Sequence, residues 1–364
     1  MPPKTLFRYI AAQTVMTLGG LIVMMSVLIM LVDLIENMRF VGKLRDGTFS
    51  LAVTLTLLRL PSVVQALTPF TFLFGSIWMF YQLNRRSEIA VMRSAGLSIW
   101  RLLGPPTLIS AITGVLIITA IDPLSSTLLS YAEQIKAAKR GNAQNLVRIF
   151  DDGMWLRQRD ATMQIIINAK NLDREQAALK EVTVWRFGPE NTFLERIDAE
   201  EAVLSGRTME MREARLASIS DQNTRRTPLY AIRTTLTAEN LRERLVQPET
   251  ISLWELPEFI LLAEAAGLPS AKYHLRFHDL CATPLKLLAM VLIAAAFSLR
   301  PARSGGALYL GLISIGAGFL LYILTEISNA FGESELAPAA LAAWTPAVAA
   351  AIAAITILLH FEEG

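Results

Sequence analysis

Six apolar runs in this sequence are each long enough to cross a lipid bilayer as a helix. A hydrocarbon core about 30 Å thick requires about 20 predominantly apolar residues in helical form. Runs of this kind occupy 10–32, 60–83, 102–121, 280–299, 307–328 and 339–360. The second run could begin as early as residue 51, because only Arg59 and Pro61 interrupt it. With 53% hydrophobic residues, the chain is predicted to fold as a membrane α-helical bundle with six transmembrane helices.

The basic residues of the short loops predict the orientation of these spans. Lysine and arginine are enriched on the cytoplasmic side of membrane proteins. A cytoplasmic N-terminus gives that side Lys4, Arg8, Arg85, Arg86, Arg93, Arg101, Arg300 and Arg303. The opposite short loops then hold only Arg39, Lys43 and Arg45, with Arg59 near the start of the second span. Both termini are therefore predicted to be cytoplasmic.

A segment of different composition separates the third and fourth spans, and this orientation places it outside the cytoplasm. Short β-type runs bounded by Gly, Pro, Asn and Asp occur at 154–158, 163–168, 181–187, 193–204, 208–218 and 229–237. Their spacing favours an antiparallel sandwich or jelly roll. The predicted domains are spans one to three at 1–121, a periplasmic β-jellyroll-like domain with flanking helices at 122–273, and spans four to six at 274–364.

Several sequence motifs of enzymes are missing from this chain. It has no G-x-x-x-x-G-K-[ST] phosphate loop, no H-E-x-x-H, no G-x-S-x-G and no paired CxxC. A single cysteine and three histidines give little material for a metal site. The net charge of +2 creates no global field that would attract nucleic acid. We therefore predict no catalytic residue, no metal site, no nucleic-acid partner and no ATP hydrolysis by the chain itself.

The loop between the second and third spans has the signals of a short cytoplasmic helix at 85–96. Ser87 can cap its N-terminus, Glu88 lies in the first turn, and Gly96 can form a left-handed C-terminal cap. Ile89 and Met92 share one face, which suits docking in a groove of a partner protein. A surface helix lying on lipid headgroups is the alternative. The residues assigned to this contact are Arg86, Glu88, Ile89, Val91, Met92, Arg93 and Gly96.

The same segment resembles the coupling helix of the LptF/LptG permease family. Its pattern R-S-E-x-x-V-M-x-x-x-G is filled by Arg86, Ser87, Glu88, Val91, Met92 and Gly96. The similarity runs along nearly the whole chain and includes Leu60-Pro61, Pro69, Gly153-Met154-Trp155, Pro284-Leu285, Gly318-Phe319, Tyr322 and Pro346. The helix pattern and the Gly-x-Trp start of the β-domain resemble the LptG branch more than the LptF branch.

This resemblance implies a permease subunit of an ABC transporter that extracts lipopolysaccharide from the bacterial inner membrane. The expected partners are an LptF-like permease, an LptB-like ATPase dimer, an LptC-like single-span protein and an LptA-like periplasmic bridge that receives the lipid. The chain itself is expected to bind no cofactor, since the partner ATPase uses the ATP and Mg. On this interpretation the Glu88 helix transmits nucleotide-driven closure, and helices one and five form lateral gates.

Three other functions are compatible with the residues. The chain could be the sister LptF-like subunit of the same exporter. It could be a membrane receptor or scaffold with a periplasmic ligand-binding domain. A secondary transporter is disfavoured because no span carries a relay of buried acids.

Candidate lipid contacts lie near the outer ends of the spans and in the β-domain. Lipopolysaccharide carries phosphates, which attract cationic side chains, and LptG-like chains tend to have a lysine near the outer end of span one that this chain lacks. The candidates at the spans are Asp33, Arg39, Lys43, Arg45, Arg59 and Glu326. The candidates for an acyl-chain path in the β-domain are Trp185, Phe187, Met209 and Met211. Solvated loop charges and ordinary core packing are the respective alternatives.

Overall fold

The computed structural model describes twelve segments of the chain, which form two compact units. The described residues are 4–44, 46–139, 146–150, 153–159, 163–173, 178–188, 192–205, 208–218, 221–234, 247–266, 268–299 and 307–363. The first unit comprises Met1–Leu129 and His274–Gly364 and is helical. The second comprises Ser130–Tyr273 and contains the β-strands.

The chain forms ten α-helices in its described part. Before the strands lie α1 (Lys4–Val41), α2 (Phe49–Arg85), α3 (Glu88–Ser94), α4 (Ile99–Leu116) and α5 (Asp122–Lys139), with a π-helical turn at Ile117–Ile121 between the last two. After the strands lie α6 (Leu256–Ala265), α7 (Ala271–Cys281), α8 (Thr283–Ser298), α9 (Ala307–Glu333) and α10 (Ala339–Glu363).

Within the described residues, five helices are long and apolar enough to cross a membrane. A sixth span is present if α7 and α8, which are bent by 53° at their junction, count as one. The predicted membrane helical bundle is therefore confirmed. Its helices extend beyond the apolar runs: α1 continues to Val41, and α2 begins at Phe49, close to the earlier of its two predicted starts. Hydropathy underestimated the length of α1, because its last turns carry polar side chains that have hydrogen-bonding partners inside the bundle.

The centre of the helical unit is α8. From Leu287 onward this helix is apolar on almost every side, as expected for a buried helix, and α8 packs against α2, α4, α9 and α10. Gly114 of α4 permits its close approach, since a Cβ there would lie 2.4 Å from Cα of Pro284. A π-helical turn at Ile117–Ile121 follows, and Asp122 comes directly after it; its buried carboxylate accepts hydrogen bonds from Arg276 and Gln65, each at 3.0 Å.

In its described residues, the second unit contains one antiparallel sheet of seven strands. They are β1 (Leu146–Phe150), β2 (Gly153–Arg159), β3 (Gln164–Asp173), β4 (Ala178–Phe187), β5 (Phe193–Ser205), β6 (Thr208–Ser218) and β7 (Asp221–Arg233). Each strand pairs with the one before it, so the order is consecutive. The predicted inserted β-domain is confirmed. The sequence did not predict β1, and it placed the start of β7 at residue 229; residues 235–237 of that prediction lie outside the described part.

One face of this sheet carries the core of the second unit. Ile167, Val184 and Ile197 lie side by side on neighbouring strands with no exposed surface. Met211 joins them from β6, and Ala263 of α6 packs on the same cluster. Because strand side chains alternate between faces, residues next to these in sequence point to the opposite face.

Candidate functional site

The short helix α3 joins α2 to α4 and ends in a Schellman motif. Its seven residues are fewer than predicted, because Arg85 belongs to α2 and Gly96 lies beyond the last turn. Gly96 has φ +80°, and its N–H donates to Arg93 O at 2.9 Å, while Leu97 N–H donates to Met92 O at 3.1 Å. The predicted left-handed cap is confirmed, and it fixes the direction in which the chain enters α4.

The predicted capping role of Ser87 is wrong. Ser87 adopts a left-handed conformation, with φ 58° and ψ 14°, and its side chain makes no capping hydrogen bond. Its backbone N–H instead donates to Asn84 O at 2.9 Å. A left-handed residue is needed here because α2 runs on to Arg85 and the chain must turn sharply before α3.

The apolar side of α3 faces the helical unit. Ile89 is only 6% exposed and belongs to the main hydrophobic core, with Met92 packed against it. The prediction that these two residues form an outward docking face is therefore wrong, because both pack against the core of their own chain. Val91 is 66% exposed, and the side chains of Arg86 and Arg93 are also exposed, so they form the outer side of α3.

The carboxylate of Glu88 connects α3 to α1. The hydroxyl of Tyr9 lies 3.0 Å from Oε2 and 3.2 Å from Oε1 of Glu88, within donating distance of both oxygens. Arg86 Nη1 lies 3.9 Å from Oε1, which adds a weak ion pair. Sequence reasoning did not find Tyr9, since no local pattern relates it to a residue 79 positions away.

The contact between Tyr9 and Glu88 continues a row of contacts between the antiparallel helices α1 and α2. Gln13 donates to Gln82 at 3.1 Å, and Thr14 lies 3.0 Å from the sulfur of Met79. Further along, a Cβ on Gly75 would lie 2.6 Å from Leu18, so this glycine lets the two helices approach closely. At the far end, Asn37 donates to Thr56 at 3.0 Å. We call this row the α1–α2 seam.

Two of the predicted lipid contacts pair with each other at the far end of the seam. Asp33 is 7% exposed and accepts hydrogen bonds from Arg59 at 3.0 Å and from Asn37 at 2.8 Å. Glu36 lies 3.6 Å from the same guanidinium. The remaining candidates do not join this cluster: Arg39, Lys43 and Glu326 are exposed, and Arg45 lies outside the described residues.

An apolar groove lies along the outer surface of α1 and α2. Its volume is about 790 Å³, and Met16, Gly20, Met24, Phe74 and Trp78 line it. The outward surface of α1 is apolar beyond the groove as well; Val23 is 64% exposed and Leu31 is 55% exposed. In a membrane this surface faces lipid or another helix.

The four candidates for a lipid path in the β-domain do not share one surface. Met209 and Met211 have no exposed surface and lie in the core of the sheet. Trp185 follows the buried Val184 and therefore lies on the opposite face, stacked on Trp155 with ring centroids 5.3 Å apart. Phe187 packs edge-to-face on Phe193 at 5.7 Å.

In the part of the chain that the structure describes, no three His, Cys, Asp or Glu side chains gather where they could hold a metal ion.

The chain also resembles characterised proteins along most of its length. The family described as "Lipopolysaccharide export system permease LptF/LptG" matches residues 8–360. The lipopolysaccharide export system permease protein LptG of Haemophilus influenzae is 23% identical over 333 residues, covering 89% of each chain. The protein of the same name from Escherichia coli K12 is 25% identical over 339 residues, covering 90% of each.

Proposed function

Because the chain belongs to the lipopolysaccharide export system permease LptF/LptG family, we propose that it is the LptG-type permease of an exporter driven by a separate ATPase. The resemblance in the sequence is thus confirmed, and the chain is a lipopolysaccharide export permease subunit. The relatives named LptG favour this branch over the LptF-like alternative.

The observation that carries the proposal is the position of α3. One side of this helix is anchored in the core through Ile89, and its outer side presents Val91 among arginines. Glu88 holds it to α1, while the chain connects it directly to α2 and α4. A partner that presses on the outer side of α3 would therefore move three helices at once. This is the arrangement expected of a helix that transmits the movement of an ATPase subunit to the transmembrane helices.

The proposed setting is the bacterial inner membrane, with both termini and α3 in the cytoplasm and the β-domain in the periplasm. An LptB-like ATPase dimer would dock on α3 from the cytoplasm and use ATP and Mg. The outward apolar surfaces of α1 and α9, where Val23 is 64% and Phe319 is 56% exposed, would meet lipid, an LptF-like permease or an LptC-like single helix. An LptA-like bridge would receive lipopolysaccharide from the β-domain.

Replacing Glu88 with alanine tests the proposed coupling. In vesicles that contain the whole exporter, we expect Glu88→Ala to reduce lipopolysaccharide release per ATP hydrolysed, because α3 loses its tie to α1. Glu333→Ala removes a carboxylate from the C-terminal end of α9 and serves as the matched control. Release at the wild-type level from the Glu88→Ala exporter would contradict the proposal.

The orientation has its own test. A cysteine placed at Ser94, in a chain whose single Cys281 has been replaced by alanine, should resist labelling by a membrane-impermeant maleimide added to intact spheroplasts. It should become reactive once the membrane is opened. Labelling from outside would place α3 in the periplasm, where it could not meet a cytoplasmic ATPase.

A further inference from the structure

We propose that Tyr9 is a positioning residue for α3, and that its hydroxyl makes α1 move together with Glu88 when α3 is displaced. This inference rests on the proposed coupling function of α3. It names the atom through which Glu88 reaches α1, the Tyr9 hydroxyl, in addition to the covalent connections of α3 to α2 and α4.

The geometry of the pair supports a specific tie. The Tyr9 hydroxyl lies 3.0 Å and 3.2 Å from the two carboxylate oxygens of Glu88, so a small rotation of either side chain keeps one hydrogen bond. Hydrogen bonds to a charged acceptor are stronger than bonds between neutral groups. The Glu88 side chain keeps 26% of its surface exposed and Tyr9 keeps 41%, so the bond is partly open to water. Arg86 holds the same carboxylate from its own side of the turn.

The turn before α3 explains why such a tie is needed. The α1–α2 seam holds the two long helices together through Gln13 with Gln82 and Thr14 with Met79. Helix α2 ends at Arg85, and the left-handed Ser87 then breaks the helical path. Ile89 and Met92 pack α3 against the core, but the turn by itself would let α3 pivot about that contact without moving α1. The bond from Tyr9 extends the seam one contact beyond this turn.

The side of α1 that faces away from α2 is exposed, which allows α1 to move together with α3. Met16 is 74% exposed and Val23 is 64% exposed, so this chain encloses α1 on one side only. Its polar contacts with α2 and α3 lie toward the two ends, at Tyr9, Gln13 and Thr14 and again at Asp33 and Asn37. Between these ends the contact of α1 with α2 is apolar, as where Leu18 meets Gly75, so a displacement of Glu88 would shift α1 against apolar packing.

The test is a double-mutant cycle in the complete exporter. Tyr9→Phe removes the hydroxyl and keeps the ring, and Tyr81→Phe, whose ring packs on Trp78 in α2, removes the same atom as the control. Lipopolysaccharide release and ATP hydrolysis are measured in the same vesicles for both variants, for Glu88→Ala and for Tyr9→Phe/Glu88→Ala. We expect Tyr9→Phe to lower release per ATP roughly three- to tenfold, the range of an ordinary hydrogen bond, because Tyr9 is 41% exposed, and Tyr81→Phe to match the wild type.

The two proposals give different outcomes. In the Glu88→Ala background, Tyr9→Phe should have no further effect, because its acceptor is gone. If Glu88→Ala uncouples the exporter while Tyr9→Phe matches the wild type, or if the two effects multiply, this inference alone is overturned. If Glu88→Ala has no effect, both the proposed coupling function and this inference are overturned.

A second measurement remains informative if Tyr9→Phe lowers the yield of the exporter. Amide hydrogen exchange of residues 88–94, measured in the assembled complex, should be faster in Tyr9→Phe than in Tyr81→Phe, since α3 loses its tie to α1. Equal exchange in the two variants would overturn the proposed positioning role.

Discussion

Arg59 Nη1 donates to the buried carboxylate of Asp33 across 3.0 Å, and this ion pair joins α1 to α2 at the end of the seam opposite α3. The Arg59 side chain keeps 34% of its surface exposed, whereas that of Asp33 keeps 9%. Arg59 is thus committed to a partner in its own chain. Among the described candidates for contact with lipid phosphate, Arg39 and Lys43 are the more exposed cations.

Breaking this ion pair should loosen the far end of the seam. Asp33→Ala leaves Arg59 with Glu36 at 3.6 Å, and we expect the free energy of unfolding to fall by roughly 1–3 kcal/mol, less than for a fully buried pair because Arg59 reaches solvent. Equilibrium unfolding in SDS measures the change. The double variant Asp33→Ala/Arg59→Ala should lose less than the sum of the single variants. Additive losses would show that the two side chains act independently.

The contact of α4 with α8 should not tolerate a methyl group at Gly114. A Cβ there would lie 2.4 Å from Cα of Pro284, a main-chain atom that cannot rotate away. We expect Gly114→Ala to destabilise the helical unit by roughly 1–3 kcal/mol. Gly316→Ala, in α9, places its Cβ in open space and should be neutral or stabilising by up to about 1 kcal/mol. Equal thermal stability of the two variants would contradict this packing.

The core of the β-domain depends on Met211, which has no exposed surface. Met211→Ala should lower the free energy of unfolding of the domain by roughly 2–4 kcal/mol through lost burial and a cavity. Leu229→Ala, on the adjacent strand β7 and 54% exposed, should change it by less than about 0.5 kcal/mol. Limited proteolysis of the full chain reports the difference.

A photo-crosslinker placed at Trp185 tests the lipid path with less damage to this core than one at Met211.

The ionisation of Tyr230 should make the β-domain less stable in alkali. Burial, and secondarily the negative charge of Glu195, raise the pKa of Tyr230 above its usual value of 10.0. Below that value the phenol is neutral in both the folded and the unfolded chain. As the pH rises further, the unfolded chain loses its proton first and the free energy of unfolding falls. Any stability advantage of the wild type over Tyr230→Phe at about pH 8 should therefore shrink by about pH 10.5. A constant difference would contradict the shift.

Local patterns predicted much of the fold, because hydropathy and alternation act within a few residues. The long apolar helices and the strands β2–β6 follow from such patterns, as does the left-handed Gly96. The early part of β7 does not, since its residues are polar and include Pro228. This segment forms a strand because β6 offers it backbone partners, as in the register of Arg225 with Leu216, and an edge strand accepts proline.

The contacts that organise the candidate site could not be predicted in this way. Tyr9 and Glu88 are 79 positions apart, and Asp33 and Arg59 are 26 apart. Their pairing depends on how α1 and α2 lie against each other, which local sequence does not specify. The sequence indicated that Glu88 and Asp33 were important residues, but it could not name their partners. It also suggested an N-cap at Ser87, where the length of α2 demanded a left-handed turn.

The π-helical turn at Ile117–Ile121 sets the rotational phase of everything that follows it on the same helix. Such a turn inserts one residue into a helix of 3.6 residues per turn, so later side chains are rotated by roughly 100° from where an unbroken α-helix would put them. That offset aims Asp122 at Arg276 and Gln65. Deleting one residue from 117–121 would therefore rotate all later side chains about the helix axis. The carboxylate of Asp122 would then point away from Arg276 and Gln65, although all three side chains would still be present.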